Sequence, residues 1–368
     1  GLFTWLDSVI QYFLMIVNFG FNIYAAKYIV ENKDKKDKIN EIISSIFIIK
    51  LVLFIFSILC ILFLGNFETF SAYKHLLLLL MFAGIGEVLF PVWFFQGVEN
   101  LKPATIIVFL TRLFLLIGTI IFVNAQYDLL SYIVLFVISS ILMGILGVFY
   151  LFKYYKIKIA LLPISKLMNY FKESLPFFIG RFLALVFNFG TIFFIGNFCL
   201  LEQVTGFDTG IKIVMLAVIP FEMLQQAVFP TISRTKNKKL LKNLVYVSFL
   251  IGALIGTLVF LMAEYFMVWV GGEEMLQFAP SLKILAILCP FVSLTFILGT
   301  CSLVAFGYYR EYNFSLIFTS IIYLLILIVL YFTETINFWN LIYLRVFGDI
   351  LMVLIRLFYS FKRKTIIA

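Results

Sequence analysis

The stretch SLPFFIGRFLALVFNFG, Ser174–Gly190, is an apolar run with one permanent cation, Arg181, seven residues inside it. At 1.5 Å of rise per helical residue, that guanidinium lies about 10 Å from the start of the run. The rest of the chain is equally apolar. It is 64% hydrophobic and 13% charged, with a mean hydropathy of +1.11, whereas a soluble domain is nearer half apolar and a quarter charged. Polar surface is too scarce to face water, so lipid is the solvent and the chain reads as an all-α polytopic membrane protein. The apolar runs are continuous and do not alternate, which favours helices over barrel strands.

Crossing roughly 30 Å of hydrocarbon takes about 20 apolar residues. Eleven spans are expected on that rule, at 2–26, 42–65, 75–96, 103–124, 129–152, 174–198, 204–230, 243–263, 280–305, 312–332 and 338–360. One set of loops contains KYIVENKDKKDKIN, QGVENLK, KYYKIKIALLPISKLMNYFKES, SRTKNKKLLKN, GYYREY and the tail FKRKTIIA. It carries 20 of the 28 Lys and Arg residues. The intervening set, GNFETFSAYKH, NAQYD, LEQVTG, AEYFMVWVGGEEMLQFAP and TETIN, holds one lysine, Lys74. The basic set, with the C-terminus, is expected to be cytoplasmic. The net charge of +9 is therefore a topology signal. The lysines are scattered over separate loops, so nucleic acid is not an expected partner. Trp5, Trp93, Trp269 and Trp339 fall near expected interfaces, where amphipathic rings belong.

The longest basic connection, 153–173, is expected to be a cytoplasmic linker between five spans in 1–152 and six in 174–368. GLFTWLD (Gly1–Asp7) aligns with GFDTGIK (Gly206–Lys212), with Gly and Thr at the first and fourth places. The second of these follows an opening span at 174–198, whereas nothing precedes Gly1. Parallel halves would therefore place one further helix upstream. The plan is then twelve spans, of which eleven are present, in two pseudo-symmetric six-helix halves around a central cavity.

Span interiors contain Asp7, Lys50, Glu87, Arg112, Arg181, Asp208, Lys212, Glu222, Lys283, Arg345, Asp349 and Arg356. A charge at the bilayer centre costs about 3 kcal/mol, so each must pair, snorkel or face water. Asp208 with Lys212 and Arg345 with Asp349 stand i,i+4 and suit internal ion pairs. Lys283 and Arg356 lie near span ends and are expected to snorkel. Lys50, Arg112 and Arg181 sit on three different helices with no carboxylate one turn away. Gathered round a wet cavity, they would form a cationic basket suited to phosphate oxygens. Glu87, Glu222 and Asp7 are candidates for proton or sodium coupling, or for counter-charges. Pro91, Pro220 and Pro290 interrupt span interiors, and GALIG (Gly252–Gly256) has the GxxxG spacing of a close helix contact.

WFFQGVENLK (93–102), SLPFFIGR (174–181), and EQVTGFDTGIK leading to QQAVFPTISR (202–212 and 225–234) resemble bacterial polysaccharide flippases of the Wzx type. These belong to the multidrug/oligosaccharidyl-lipid/polysaccharide exporter superfamily. The resemblance covers nearly the whole chain and implies movement of an undecaprenyl-pyrophosphate-linked oligosaccharide, an O-antigen or capsule repeat unit, from the inner to the outer leaflet of the cytoplasmic membrane. It implies alternating access, a cationic cavity for pyrophosphate and sugars, and a polyprenyl tail left in lipid. Arg181 matches the basic residue that ends the family's LPFF opening, and Lys212 a lysine common in its eighth span. Phe207 and Asp208 depart from the aromatics usual before that lysine. Membrane lipids are implied partners, with a polysaccharide polymerase and chain-length machinery alongside.

The nearest rivals are a lipid II flippase and a MATE-type ion-coupled exporter. The latter would favour a cavity of carboxylates and aromatics, whereas deep cations outnumber unpaired deep carboxylates here. An enzyme is not expected: the longest external loop is about 17 residues without an acid–base pair or a DxD metal motif. His75 is the sole histidine, and Cys60, Cys199, Cys289 and Cys301 form no CxxC, so neither a metal site nor a cofactor is expected.

Overall fold

The computed structural model describes residues 1–32, 35–123 and 128–366, without the side chains of Ile23, Lys27, Glu31, Pro176, Phe177, Gly180, Arg181, Ala184, Asn188 and Pro230. Among the described residues every regular element is helical. α1 (Leu2–Asn18) and α2 (Phe21–Glu31) divide the first expected span. Between them Phe19 (φ 38) and Gly20 (φ 74) are left-handed. Glycine takes that conformation without a Cβ clash. Phe19 does so clamped, its ring stacked on Phe171 at 4.1 Å and Phe178 at 4.5 Å.

α3 (Lys36–Leu64) is unbroken. After the short α4 (Glu68–Ser71), the next expected span comes in three pieces, α5 (Lys74–Met81), α6 (Gly84–Leu89) and α7 (Val92–Gly97). Pro91 explains the second break. It has no N–H for the carbonyl four residues back, and it pushes Phe90 into an extended conformation (φ −78, ψ 108). α8 (Lys102–Phe122) and α9 (Leu129–Tyr155) follow. α6 and α9 meet backbone to backbone: a Cβ on Gly86 would stand 2.1 Å from the Ser140 carbonyl oxygen.

α10 (Ile164–Phe198), α11 (Leu201–Thr235), α12 (Lys238–Leu261) and α13 (Ala263–Gly271) come next. A 3-10 segment (Glu273–Phe278), α14 (Ala279–Leu285), α15 (Leu288–Phe296), a π-helical segment (Ile297–Val304), α16 (Tyr309–Phe332) and α17 (Phe338–Lys362) complete the chain. Gly252 and Gly256 let α12 approach α15 closely, their absent Cβ atoms falling 2.5 Å from Ser293 Oγ and 2.8 Å from Ala286 O. The GxxxG spacing is thus used as its chemistry suggests.

Among the described residues seven helical stretches are long and apolar enough to cross a membrane: α3, α5 to α7 together, α8, α9, α11, α12 and α16. The bent pair Glu273–Leu285 and Leu288–Val304, at 52°, makes an eighth. The chain is a multi-pass membrane protein of the expected class, and these stretches account for eight of the eleven expected spans among the described residues. Of the other three expected spans, α1 is 17 residues long, α10 is a 35-residue helix whose described side chains include the apolar run Phe189–Phe198, and α17 carries Arg345, Asp349 and Arg356.

The chain divides into two compact units, Leu6–Leu185 (the amino-terminal unit) and Gly1–Trp5 with the residues from Val186 onward (the carboxy-terminal unit). The amino-terminal unit packs Phe21, Tyr24, Ile42, Trp93, Phe94 and Leu151 into one core. Trp269 and Trp339 are exposed, as interface residues should be, but Trp5 and Trp93 are buried, contrary to expectation. Trp5 fills the space left by Gly196, and Trp93 packs edge-on to Phe47 at 6.2 Å.

Candidate functional site

The amino-terminal unit contains a cavity of about 240 Å³ whose polar lining is Gln11, Asn18, Glu87, Thr111, Arg112, Ser139 and Ser140. Local sequence explains the placement. Asp7, Gln11 and Asn18 recur at helical spacing and form a polar stripe on α1. Glu87 stands on α6, one turn before the Pro91 break. Arg112 projects from the middle of α8 and holds its guanidinium 5.9 Å from the centre of the Phe136 ring.

Several of the lining groups already have partners. Ser139 Oγ donates to the Thr111 carbonyl at 2.7 Å, Thr111 Oγ1 to Ile107 O at 3.0 Å, and Ser140 Oγ to Ala83 O at 2.8 Å. Asn18 Nδ2 donates to Glu87 Oε2 at 3.2 Å, while its buried Oδ1 has no partner among the described residues. Arg112 makes no ion pair among the described residues, although Glu87 lines the same cavity. The unused valence is therefore one forked cationic donor and two acceptors, Glu87 and Asn18 Oδ1. Such a set binds anionic oxygens at the guanidinium and hydroxyls at Glu87. Among the described residues no group of His, Cys, Asp or Glu could hold a metal ion.

Of the three cations expected around one chamber between the halves, Arg112 lines this cavity of the amino-terminal unit. The side chain of Arg181, on α10, lies outside the described residues. Lys50 is not among the lining residues. It is 1% exposed, and its Nζ donates to the Glu87 carbonyl oxygen at 2.9 Å. That carbonyl is the one Pro91 cannot serve, because residue 91 would be its i+4 donor in a continuous helix. Lys50 thus replaces the missing N–H and braces the break on which Glu87 is carried. Asp7 accepts from Gln11 Nε2 at 3.1 Å, one step behind the cavity lining.

Lys50→Met should destabilise the protein by about 1.5–3 kcal/mol, the usual worth of a hydrogen bond to a charged group. In a Pro91→Ala background, which restores an N–H, the same substitution should cost clearly less. Thermal unfolding in detergent of the four proteins of this cycle checks it, and equal losses in both backgrounds would refute the bracing role.

In the carboxy-terminal unit Asp208 and Lys212 form the expected pair at 2.6 Å, and Thr4 Oγ1 donates to Asp208 Oδ2 at 3.3 Å. Lys212 and Glu222 flank an apolar groove of about 400 Å³ lined by Met215, Leu216, Val218, Ile219 and Phe296. Gln226 Nε2 lies 3.4 Å from Glu222 Oε1. Arg345 and Asp349 form the other expected pair, at 3.0 Å. Lys283 reaches Glu264 at 2.8 Å, which holds that exposed carboxyl below its usual range. Arg356 does not snorkel as expected. It is buried, donating to Ser315 Oγ at 3.1 Å and Thr295 O at 2.9 Å, with Tyr312 4.9 Å away as a cation–π partner. Satisfied inside, it gains nothing by reaching the interface. Gln11 and Asn18 escaped the sequence reading, which followed charge; their signal was the polar stripe through Asp7.

The sequence model of the family described as "Polysaccharide biosynthesis protein" matches residues 1–236. Over 133 residues the chain is 32% identical to the "Putative O-antigen transporter" of Escherichia coli (strain K12), a match covering 35% of this chain and 31% of that protein. Two solved structures share the fold at 12% identity, each over 98% of this chain and 85% of the other. One is the outward-facing conformation of a multidrug resistance MATE family transporter of the MOP superfamily, at a TM-score of 0.60. The other is MATE in the bent conformation, at 0.56.

Proposed function

This chain belongs to the polysaccharide biosynthesis protein family, and from that premise we propose that it is a transporter flipping undecaprenyl-pyrophosphate-linked oligosaccharide from the inner to the outer leaflet of the bacterial cytoplasmic membrane. The observation that carries the reading is Arg112: a forked cation from the middle of an apolar helix, lining a cavity of mixed polar and apolar walls without an acid of its own among the described residues. A cation so placed costs about 3 kcal/mol or more unless something offsets it. The pyrophosphate of the substrate would do so through paired N–H···O bonds. Glu87 would accept from sugar hydroxyls, and the polyprenyl tail would stay in lipid. Arg181 and Lys212 are further candidates for substrate contact, and Glu87, Glu222 and Asp7 for proton or sodium coupling. The halves 1–152 and 174–368, joined by the linker 153–173, would alternate access, with the C-terminus in the cytoplasm. A polymerase would take the delivered unit.

The test is reconstitution. Purified protein in vesicles carrying a fluorescent undecaprenyl-pyrophosphate oligosaccharide should make the inner-leaflet pool accessible to a glycan-cleaving enzyme added outside. Accessibility no greater than in protein-free vesicles, with the protein folded, would reject the proposal.

A further inference from the structure

The stretch between the end of α9 and the first turns of α10 has two faces. Ile157 is buried, and Leu167, Tyr170 and Phe171 pack on the core of the amino-terminal unit. Ile159, Leu161, Ile164 and Met168 turn outward, Leu161 to 93% exposure and Ile164 to 78%. Residues 153–172 carry Lys153, Lys156, Lys158, Lys166 and Lys172 and no acid. The stretch is tied down. The Lys158 amide donates to Asn40 Oδ1 at 3.1 Å and the Ala160 amide to Ser44 Oγ at 3.0 Å. Lys166 Nζ and Tyr170 Oη each reach Glu41 at 3.1 Å. Asn40, Glu41 and Ser44 lie on the first turns of α3, where that span begins.

We propose that residues 156–168 are an interfacial strap, laying Ile159, Leu161, Ile164 and Met168 into the acyl boundary of an anionic leaflet with Lys153, Lys156 and Lys158 at its phosphates. Three observations favour lipid over a protein partner. The exposed apolar residues follow directly in the chain on the last turns of the apolar span α9, where Phe149 and Phe152 are also exposed. Lys153 Nζ sits 5.3 Å from the Phe149 ring and 5.6 Å from that of Tyr154, the pairing of cation and aromatic found at headgroup depth. The charge is of one sign, which an anionic surface attracts and a like strap repels. Large apolar side chains beside lysines are the composition of in-plane membrane segments.

The test places a photo-crosslinking amino acid at residue 161 or 164 of the full chain, reconstituted in vesicles of mixed phosphatidylglycerol and phosphatidylcholine. The exposed position 37 serves as the water-facing control. Lipid adducts should form at 161 and 164 but not at 37, enriched in phosphatidylglycerol. Replacing Lys153, Lys156 and Lys158 with Gln should lower that enrichment by up to about fivefold per lysine, while adducts persist. Adducts no more frequent than at 37, adducts to a second copy of the chain, or no preference for the anionic lipid would each overturn the proposal.

Discussion

Arg112→Ala should reduce transport about thirtyfold or more while the protein accumulates and unfolds as before. The loss follows from the charge-assisted bonds: removing one partner of a desolvated charged contact costs about 2–5 kcal/mol. The unchanged fold follows from position. Arg112 is exposed on α8 and makes no ion pair among the described residues, so its removal strands no acid. Arg112→Lys separates charge from shape. It keeps the cation and loses the fork, so activity should fall between wild type and alanine. Initial rates in the vesicle assay, normalised to folded protein, measure both. Wild-type rates for the alanine variant would remove Arg112 from the mechanism.

The largest stability effect is expected in the carboxy-terminal unit. Asp349→Ala should destabilise by about 3–5 kcal/mol, since it leaves Arg345 as a buried, uncompensated charge. Both residues are 5% exposed. Arg345 Nε and Asp349 Oδ2 lie 3.0 Å apart, yet neither atom makes an aligned hydrogen bond, so the pair is held by charge proximity. Arg345 is further fixed by Nη1 donating to Phe187 O at 2.8 Å and by that residue's ring 4.4 Å away. The double variant Arg345→Leu/Asp349→Leu removes both charges and should recover most of the loss, because two charges no longer need to be desolvated. Thermal unfolding of wild type and of the two variants in one detergent decides. A double variant no more stable than Asp349→Ala would mean that packing, not charge, holds this site.

Lys50 and Arg112 were equivalent in sequence, deep cations without a neighbouring acid, and the fold gave them opposite tasks. Arg112 faces the cavity, whereas Lys50 supplies the hydrogen bond that Pro91 withholds from Glu87. Pro91 was legible only as one of three interruptions, and Pro220 sits in an unbroken helix; the lysine that serves Pro91 comes from a helix 37 residues away in sequence. Asn18 and Gln11 were legible only as a stripe, because an amide has no formal charge and can satisfy itself within a span, so it does not demand a partner as a buried ion does.

The sequence alone determined the membrane class, the helical architecture, a close helix contact at Gly252 and Gly256, and the i,i+4 pairs Asp208–Lys212 and Arg345–Asp349. All of these depend on composition or on residues within about one helical turn, where spacing sets distance. Only tertiary structure decided which way each deep side chain turns: Lys50 and Arg356 to main-chain carbonyls, Trp5 and Trp93 into the interior, Arg112 to the cavity. A helix apolar on all sides has no polar face to set its rotation about its own axis. That rotation comes from packing against neighbours distant in sequence.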